Sequence, residues 1–379
     1  MRAGLAPPLS LYVHLPWCVR KCPYCDFNSH ALAGGLPEGA YADALLSDLD
    51  GEISHVQGRV VESVFVGGGT PSLFSPAAIE RLLGGVRARL ALAPQCEVTL
   101  EANPGVADAA RLGGYRAAGV SRLSLGVQSF DDGCLRRIGR IHRARDAEVA
   151  VGAALHAGFE DLNIDLMYGL PGQTPEGALA DVARAVALGP AHVSHYQLTL
   201  EPGTYFHRHP PALPGEEATW RMHTRCQARL RAAGYVQYEV SAYAREGRRS
   251  RHNLNYWRFG DYLGIGAGAH AKLTDAHGRI VRTVRQRNPR RYLGRDFIAE
   301  RRTVSEVDAA FEFVLNAFRL VDGFEPALFE QRAGRSLASL EPALSRAQAR
   351  GLVERSATRI RPTALGRRFL DDLVAMFLP

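Results

Sequence analysis

Through roughly the first 200 residues, short β-branched runs ending in Gly, Asn or Pro alternate with stretches whose apolar residues recur at helical spacing. The runs lie at 11–15, 63–66, 97–101, 122–126, 161–167 and 192–200. The helical segments between them lie at 41–55, 76–92, 107–118, 146–157 and 175–188. Parallel strands need long crossovers, so this alternation predicts an α/β fold: a parallel sheet with crossover helices, doubly wound or curled into an open (β/α)6 partial barrel. In either form the chemistry belongs on the loops that follow the C-terminal ends of the strands.

Beyond residue 205 the pattern changes. Residues 207–215 are rich in Pro and His, a helix is expected at 216–233 and a strand at 236–243, and residues 248–270 are polar, aromatic and Gly-rich. From residue 305 the chain is mostly helical, closing with a short strand at Arg359-Ile-Arg-Pro and an amphipathic helix to Phe377, as in a small winged-helix module. The expected division is a core at 1–205, an extension at 206–300 and a helical C-terminal domain at 301–379.

Composition narrows the function. With 46% hydrophobic and 22% charged residues the chain is of ordinary globular type. No apolar run approaches the roughly 20 residues that span a bilayer. Residues 1–10 lack the apolar core of a secretion signal, and Pro7-Pro8 interrupts what there is, so a cytoplasmic protein is expected. The formal charge is +7, yet only Lys21 and Lys272 are lysines; arginines spread along the chain carry the rest, with clusters at 248–251 and 282–291. That dispersion argues against nucleic acid as a partner, while a local patch suits a carboxylated ligand.

Three of the six cysteines, Cys18, Cys22 and Cys25, stand as C-x3-C-x2-C directly after the first expected strand. Three thiolates can hold three irons of a [4Fe–4S] cluster and leave the fourth open. The alternative is a zinc site completed by His14 or His30. Cys96, Cys134 and Cys226 read as small buried residues. Gly67-Gly-Gly-Thr70-Pro71 follows the second strand, where glycines let backbone approach a ligand or simply form a turn. Glu101, Gln128 and Asp165 lie at or near further strand ends, and Arg140 can pair with a carboxylate.

This ordered series resembles the radical S-adenosylmethionine enzymes. The resemblance implies a cluster on Cys18, Cys22 and Cys25 whose open iron chelates S-adenosylmethionine. It places Tyr12, Tyr24, Gly68, Gly69, Thr70, Glu101, Gln128, Arg140 and Asp165 around that cofactor. From Tyr12 to about His270 the match is to one branch, oxygen-independent coproporphyrinogen oxidase and the related HemW heme chaperones. The oxidase resembled here continues its cysteine motif with a further Cys where this chain has Phe27, and carries a longer segment before the cluster. His252-Asn253-Leu-Asn-Tyr256-Trp257 matches the HNxxYW motif associated with heme in the chaperones. An imidazole can ligate heme iron and aromatic rings can flank a macrocycle, with Arg248, Arg249 and Arg251 near enough in sequence to meet propionates. The plain alternative is an aromatic turn packed on the barrel, with His142, His195 and His270 as rival ligands. Gly264-Ile-Gly-Ala-Gly268 comes too late for a dinucleotide fingerprint and reads as a close approach to the cofactor edge, or a turn.

The resemblance therefore implies a heme chaperone that carries a [4Fe–4S] cluster, S-adenosylmethionine and heme. It would deliver heme to acceptor apo-hemoproteins such as membrane respiratory enzymes. Radical decarboxylation of coproporphyrinogen III is the enzymatic alternative, and a homodimer is open because a cluster or heme can bridge two copies.

Overall fold

The computed structural model describes residues 6–56, 58–106 and 108–378. Part of the expected signal-free leader and the expected helix start at Ala107 lie outside these.

Six parallel strands form the centre: β1 (Leu9–Leu15), β2 (Val60–Gly68), β3 (Ala91–Ala102), β4 (Arg122–Gln128), β5 (Asp161–Tyr168) and β6 (His192–Gln197). They pair in sequence order, each with the next. Crossover helices α1 (Glu38–Asp50), α2 (Pro76–Arg87), α3 (Ala109–Ala117), α4 (Ala144–His156) and α5 (Pro175–Leu188) cover the outside. The strands obey period two. Leu9, Leu11, Val13 and Leu15 pack outward with Val64, Val66, Leu123, Leu125 and Ile164 in one large core. The alternate residues are polar or aromatic, so the inside of the curl is a polar lumen.

After α6 (Glu216–Ala232) the chain forms β7 (Val236–Gln237) and β8 (Ala242–Ala244), crosses through α7 (Arg251–Trp257), and continues as β9 (Asp261–Ile265), β10 (His270–Thr274), β11 (Ile280–Arg285) and β12 (Ile298–Thr303). β8 joins β6 antiparallel, while β9 joins β1 parallel as a seventh parallel strand. The link holding α7 therefore passes from one flank of the curled sheet to the other. The single strand expected at 236–243 is instead a hairpin of two short strands, because Glu239 accepts from Ser241 N–H and bridges to Leu320 of the C-terminal part.

A second core joins Phe313 and Phe318 of the region around α8 (Glu306–Ala317) to Phe324, Phe329 and Phe377. It also takes in Phe259 and Ile280 of the extension. A small antiparallel hairpin, Val353–Arg355 with Ile360–Pro362, matches the expected wing. The expected final helix is broken at Phe369 into Ala364–Arg368 and Leu370–Ala375.

Candidate functional site

A cavity of about 550 Å³ opens at the C-terminal ends of the parallel strands. Cys18, Cys22 and Cys25 line it, and all three are unpaired thiols. The loop carrying them is tied down from a distance by Asn28, which donates to the carbonyls of Ala267 (2.8 Å) and Arg287 (2.9 Å), and is closed on itself by Lys21, which donates to that of Phe27 (2.9 Å). Burial pushes the Cys18 and Cys25 thiols above their ordinary range. A bound cation reverses that preference and holds them as thiolates. His14 is not free to complete a zinc site, since its Nε2 donates to the Asn28 carbonyl (2.9 Å) and its Nδ1 accepts from the Tyr12 hydroxyl (2.8 Å). Among the described residues no three His, Cys, Asp or Glu side chains gather tightly enough for one metal ion. A four-iron cluster asks for something else, one thiolate on each of three irons. The donor set fits it.

Around the cysteines stand Tyr24, Gly68, Gly69, Thr70, Glu101, Gln128, Arg140 and Asp165, all on the cavity wall. Glu101 Oε2 accepts from Gly68 N–H (3.1 Å), and burial, with Asp165 adding repulsion, lifts its carboxyl to about 8. Asp165 is held by Ser124 (3.1 Å) and Asn163 (2.8 Å), and burial raises it as well. Arg140 Nη2 donates to Asn103 Oδ1 (2.7 Å), and Asn103 Nδ2 donates to Thr70 Oγ1 (2.9 Å). Gln128 has φ of 70° at a register shift in β4 and accepts from the Tyr196 hydroxyl (2.8 Å). A non-glycine residue in that conformation at a bulge marks a side chain aimed by strain. Tyr12, expected beside the cofactor, stands outside the lining, deeper in the lumen and stacked on Phe65.

The glycines serve a purpose that spacing did not reveal. A Cβ on Gly69 would meet the Trp17 carbonyl at 2.5 Å, and one on Gly68, where φ is +121°, would meet the His14 ring at 2.8 Å. The close approach is between the end of β2 and the glycine turn on one side and His14 of β1 and Trp17, leading into the cysteine loop, on the other. Gly266 and Gly268 likewise press on His14 and Asn28, so the late glycine run braces that loop and does not line the cavity. The alternation of β6 could have pointed to Ser194 and Tyr196, and Asn103 follows Glu101 by two residues; sequence reasoning passed over all three as lining residues.

The HNxxYW motif forms α7, capped by Ser250, whose side chain accepts from Asn253 N–H (3.3 Å). Asn253 and Trp257 face the cavity beside Glu239 and Arg319. His252 departs from the expected free ligand. It is 1% exposed, with Nδ1 3.0 Å from the Ser63 hydroxyl and Nε2 3.1 Å from that of Tyr256. Burial lowers its pKa to about 3. Both nitrogens are thus engaged within the lumen, and Tyr256 stands with it, edge-on to Tyr262. Among the rivals, His142 Nε2 donates to the Val127 carbonyl (3.0 Å), His195 stacks on Tyr168, and His270 is exposed. Cys134 and Cys226 are buried as expected and Cys96 is half-buried.

Residues 12–184 match the family model of the radical SAM superfamily, and residues 304–369 that of the HemN C-terminal domain. The fold resembles coproporphyrinogen III oxidase (HemN) from Escherichia coli at TM-score 0.83 and 24% identity, over 99% of this chain and 91% of that one. Fold and site together define a radical SAM protein. Over 372 residues the chain is 49% identical to the heme chaperone HemW of Escherichia coli K12, covering 98% of each. It is 46% identical to the HemW of Haemophilus influenzae and 33% identical to that of Bacillus subtilis, again over nearly the whole of each chain. The chain belongs to the HemW heme-chaperone family.

Proposed function

We propose that the protein is a heme chaperone, which binds heme and hands it to acceptor apo-hemoproteins. The observation that carries this reading is the 49% identity to a heme chaperone across 98% of both chains. Phe27, exposed on the cavity wall where the oxidase motif has a further cysteine, supports it. The likeness to coproporphyrinogen III oxidase is one of fold.

In this reading Cys18, Cys22 and Cys25 hold a [4Fe–4S] cluster, and S-adenosylmethionine occupies the rest of the strand-end cavity. The cluster supplies one-electron chemistry when bound. The chain supplies position. Arg140, fixed by Asn103, offers a cation to a carboxylate. Glu101 and Asp165 accept from ligand donors, and the glycine turn keeps the cysteine loop seated on β2. His252, Asn253, Tyr256 and Trp257 enter as one element, α7, with two residues on the cavity and two in the lumen. The division at 205 and 300 belongs to the same proposal, supported by the family matches that end at 184 and resume at 304. Membrane respiratory enzymes as acceptors, a cytoplasmic setting and a homodimer are further parts of it. No helix among the described residues is long and apolar enough to cross a membrane.

Anaerobically reconstituted protein tests this in two assays, hemin titration followed at the Soret band, and incubation with coproporphyrinogen III, reductant and S-adenosylmethionine. Stoichiometric heme binding without decarboxylated product is expected. Turnover to protoporphyrinogen would make the protein the oxidase instead.

A further inference from the structure

A second cavity, of about 580 Å³, lies on another side of α7. Leu254 of the helix, Arg251 at its start and Arg258 just past its end, with Phe324, Leu328 and Arg332 of the C-terminal part, wall it. The helix is therefore a shared wall. Its i, i+4 pair Asn253 and Trp257 faces the cofactor cavity, and the next pair, Leu254 and Arg258, faces this one.

The charges in the second cavity do not cancel. Two of its arginines are spoken for: Arg249 pairs with Asp322 (3.8 Å) and Arg359 with Glu325 (3.1 Å). Among the described residues Arg251, Arg258 and Arg332 make no carboxylate ion pair, and Glu62 is the wall's remaining acid. Arg332 Nε is buried without any partner. Burial pulls its guanidinium below the usual range even with Asp261 nearby. Arg332 itself is half-buried, but a buried N–H with no acceptor is costly and calls for one. The apolar share of the wall that a ligand can reach, the half-buried Leu254 and Leu328, calls for something flat or aliphatic. An adjacent cavity of about 630 Å³ shares Arg249 and Arg251, but its wall is almost wholly polar and suits no macrocycle.

The first cavity already holds the three cysteines and the carboxylates around them, and His252 is closed off in the lumen. We propose that the tetrapyrrole cargo lies in the second cavity, its ring against Leu254 and Leu328 and its propionates on Arg258 and Arg332. This rests on the heme-chaperone reading and adds what the protein recognises: the acidic ring, not the metal. Among the described residues the wall contains no His, Cys or Met to ligate iron, and the tyrosine among them, Tyr238, has its hydroxyl 2.9 Å from His192 Nε2.

The test is equilibrium titration of the cluster-loaded protein with hemin, metal-free protoporphyrin IX and the dimethyl ester of each. Native protein is compared with Arg258→Gln, Arg332→Gln and the double variant. Hemin and the metal-free ring should bind native protein within about threefold of each other, and the double variant should weaken both by about tenfold or more. The esters should bind native protein about as weakly as the free acids bind the double variant. Arg332→Lys should recover part of the affinity, which a mere folding defect would not permit; unchanged circular dichroism and iron content check the fold. Equal hemin affinity in native and double-variant protein, or no binding of the metal-free ring, overturns the proposal and leaves the chaperone reading standing. If native protein binds no hemin at all, that reading falls as well.

Discussion

Cys22 shows how much a single side chain decides here. It lines the cavity between two further thiols, and with three thiolates for three irons there is no spare ligand. Cys22→Ser is expected to abolish the cluster while leaving the folded barrel, whose core lies on the other face of the strands. Iron and sulfide analysis of reconstituted protein checks this, and full retention of both would refute the cluster assignment. Glu101 works by the opposite logic. Its carboxyl is pushed up to about 8 by burial, so near neutrality it is largely protonated until a ligand donor or cation draws the ionised form. Gln128 shows a third route, in which a strained backbone and not a charge sets the aim of a side chain.

At the scale of elements, α7 is held by the barrel more than by its own seven residues. Glu97, on the inner face of β3, accepts from Arg251 N–H (3.0 Å) and His252 N–H (3.0 Å) and caps the helix from across the lumen. Asn255 adds bonds to Ser10 (2.9 Å) and to the Asp261 carbonyl (2.8 Å). Removing the acceptor in Glu97→Ala should cost about 2 kcal/mol, the scale of hydrogen bonds to a charged group. It should speed amide exchange in 251–257 first; slower or unchanged exchange there would show that the helix is anchored elsewhere. Apart from the bond to Asp261, this clamp is not legible in a sequence, since Glu97 and Ser10 lie about 150 and 245 residues from the helix. What was legible followed from local period and local chemistry: the six strands, the crossover helices, the cysteine loop at a strand end. The hairpin at 236–244 and the side of α7 on which His252 lies depend on tertiary partners, Leu320 in one case and Ser63 in the other.

Across the whole molecule, buried histidines weaken the fold toward acid. Burial lowers His142 to about 4, and His195 and His252 to about 3, from an ordinary 6.5. The unfolded chain takes up protons below 6.5 that the native protein refuses, so their contribution is fully present above 6.5 and is lost as pH falls toward the folded values. The histidine contribution should therefore decline between about pH 6.5 and 3, while raised carboxyls such as Glu101 act in the opposite sense. His252→Gln should change the slope of stability against pH toward less loss in acid, in urea unfolding curves taken across that range. An unaltered slope would mean that His252 already carries its proton in the native state. The sheet topology also orders events during synthesis. β1 takes one neighbour from residues 60–68 and the other from 261–265, and the cysteine loop behind it is fastened through Asn28 to the carbonyls of Ala267 and Arg287. A ribosome delivers those anchors only after most of the chain has emerged, so the thiols nearest the N-terminus wait, unfastened, for one of the later-made parts of the protein. On the proposed cluster assignment, iron–sulfur loading into a fully seated loop would be a late, essentially post-translational act, and a truncated chain ending before residue 287 would present its cysteines without the frame that holds them.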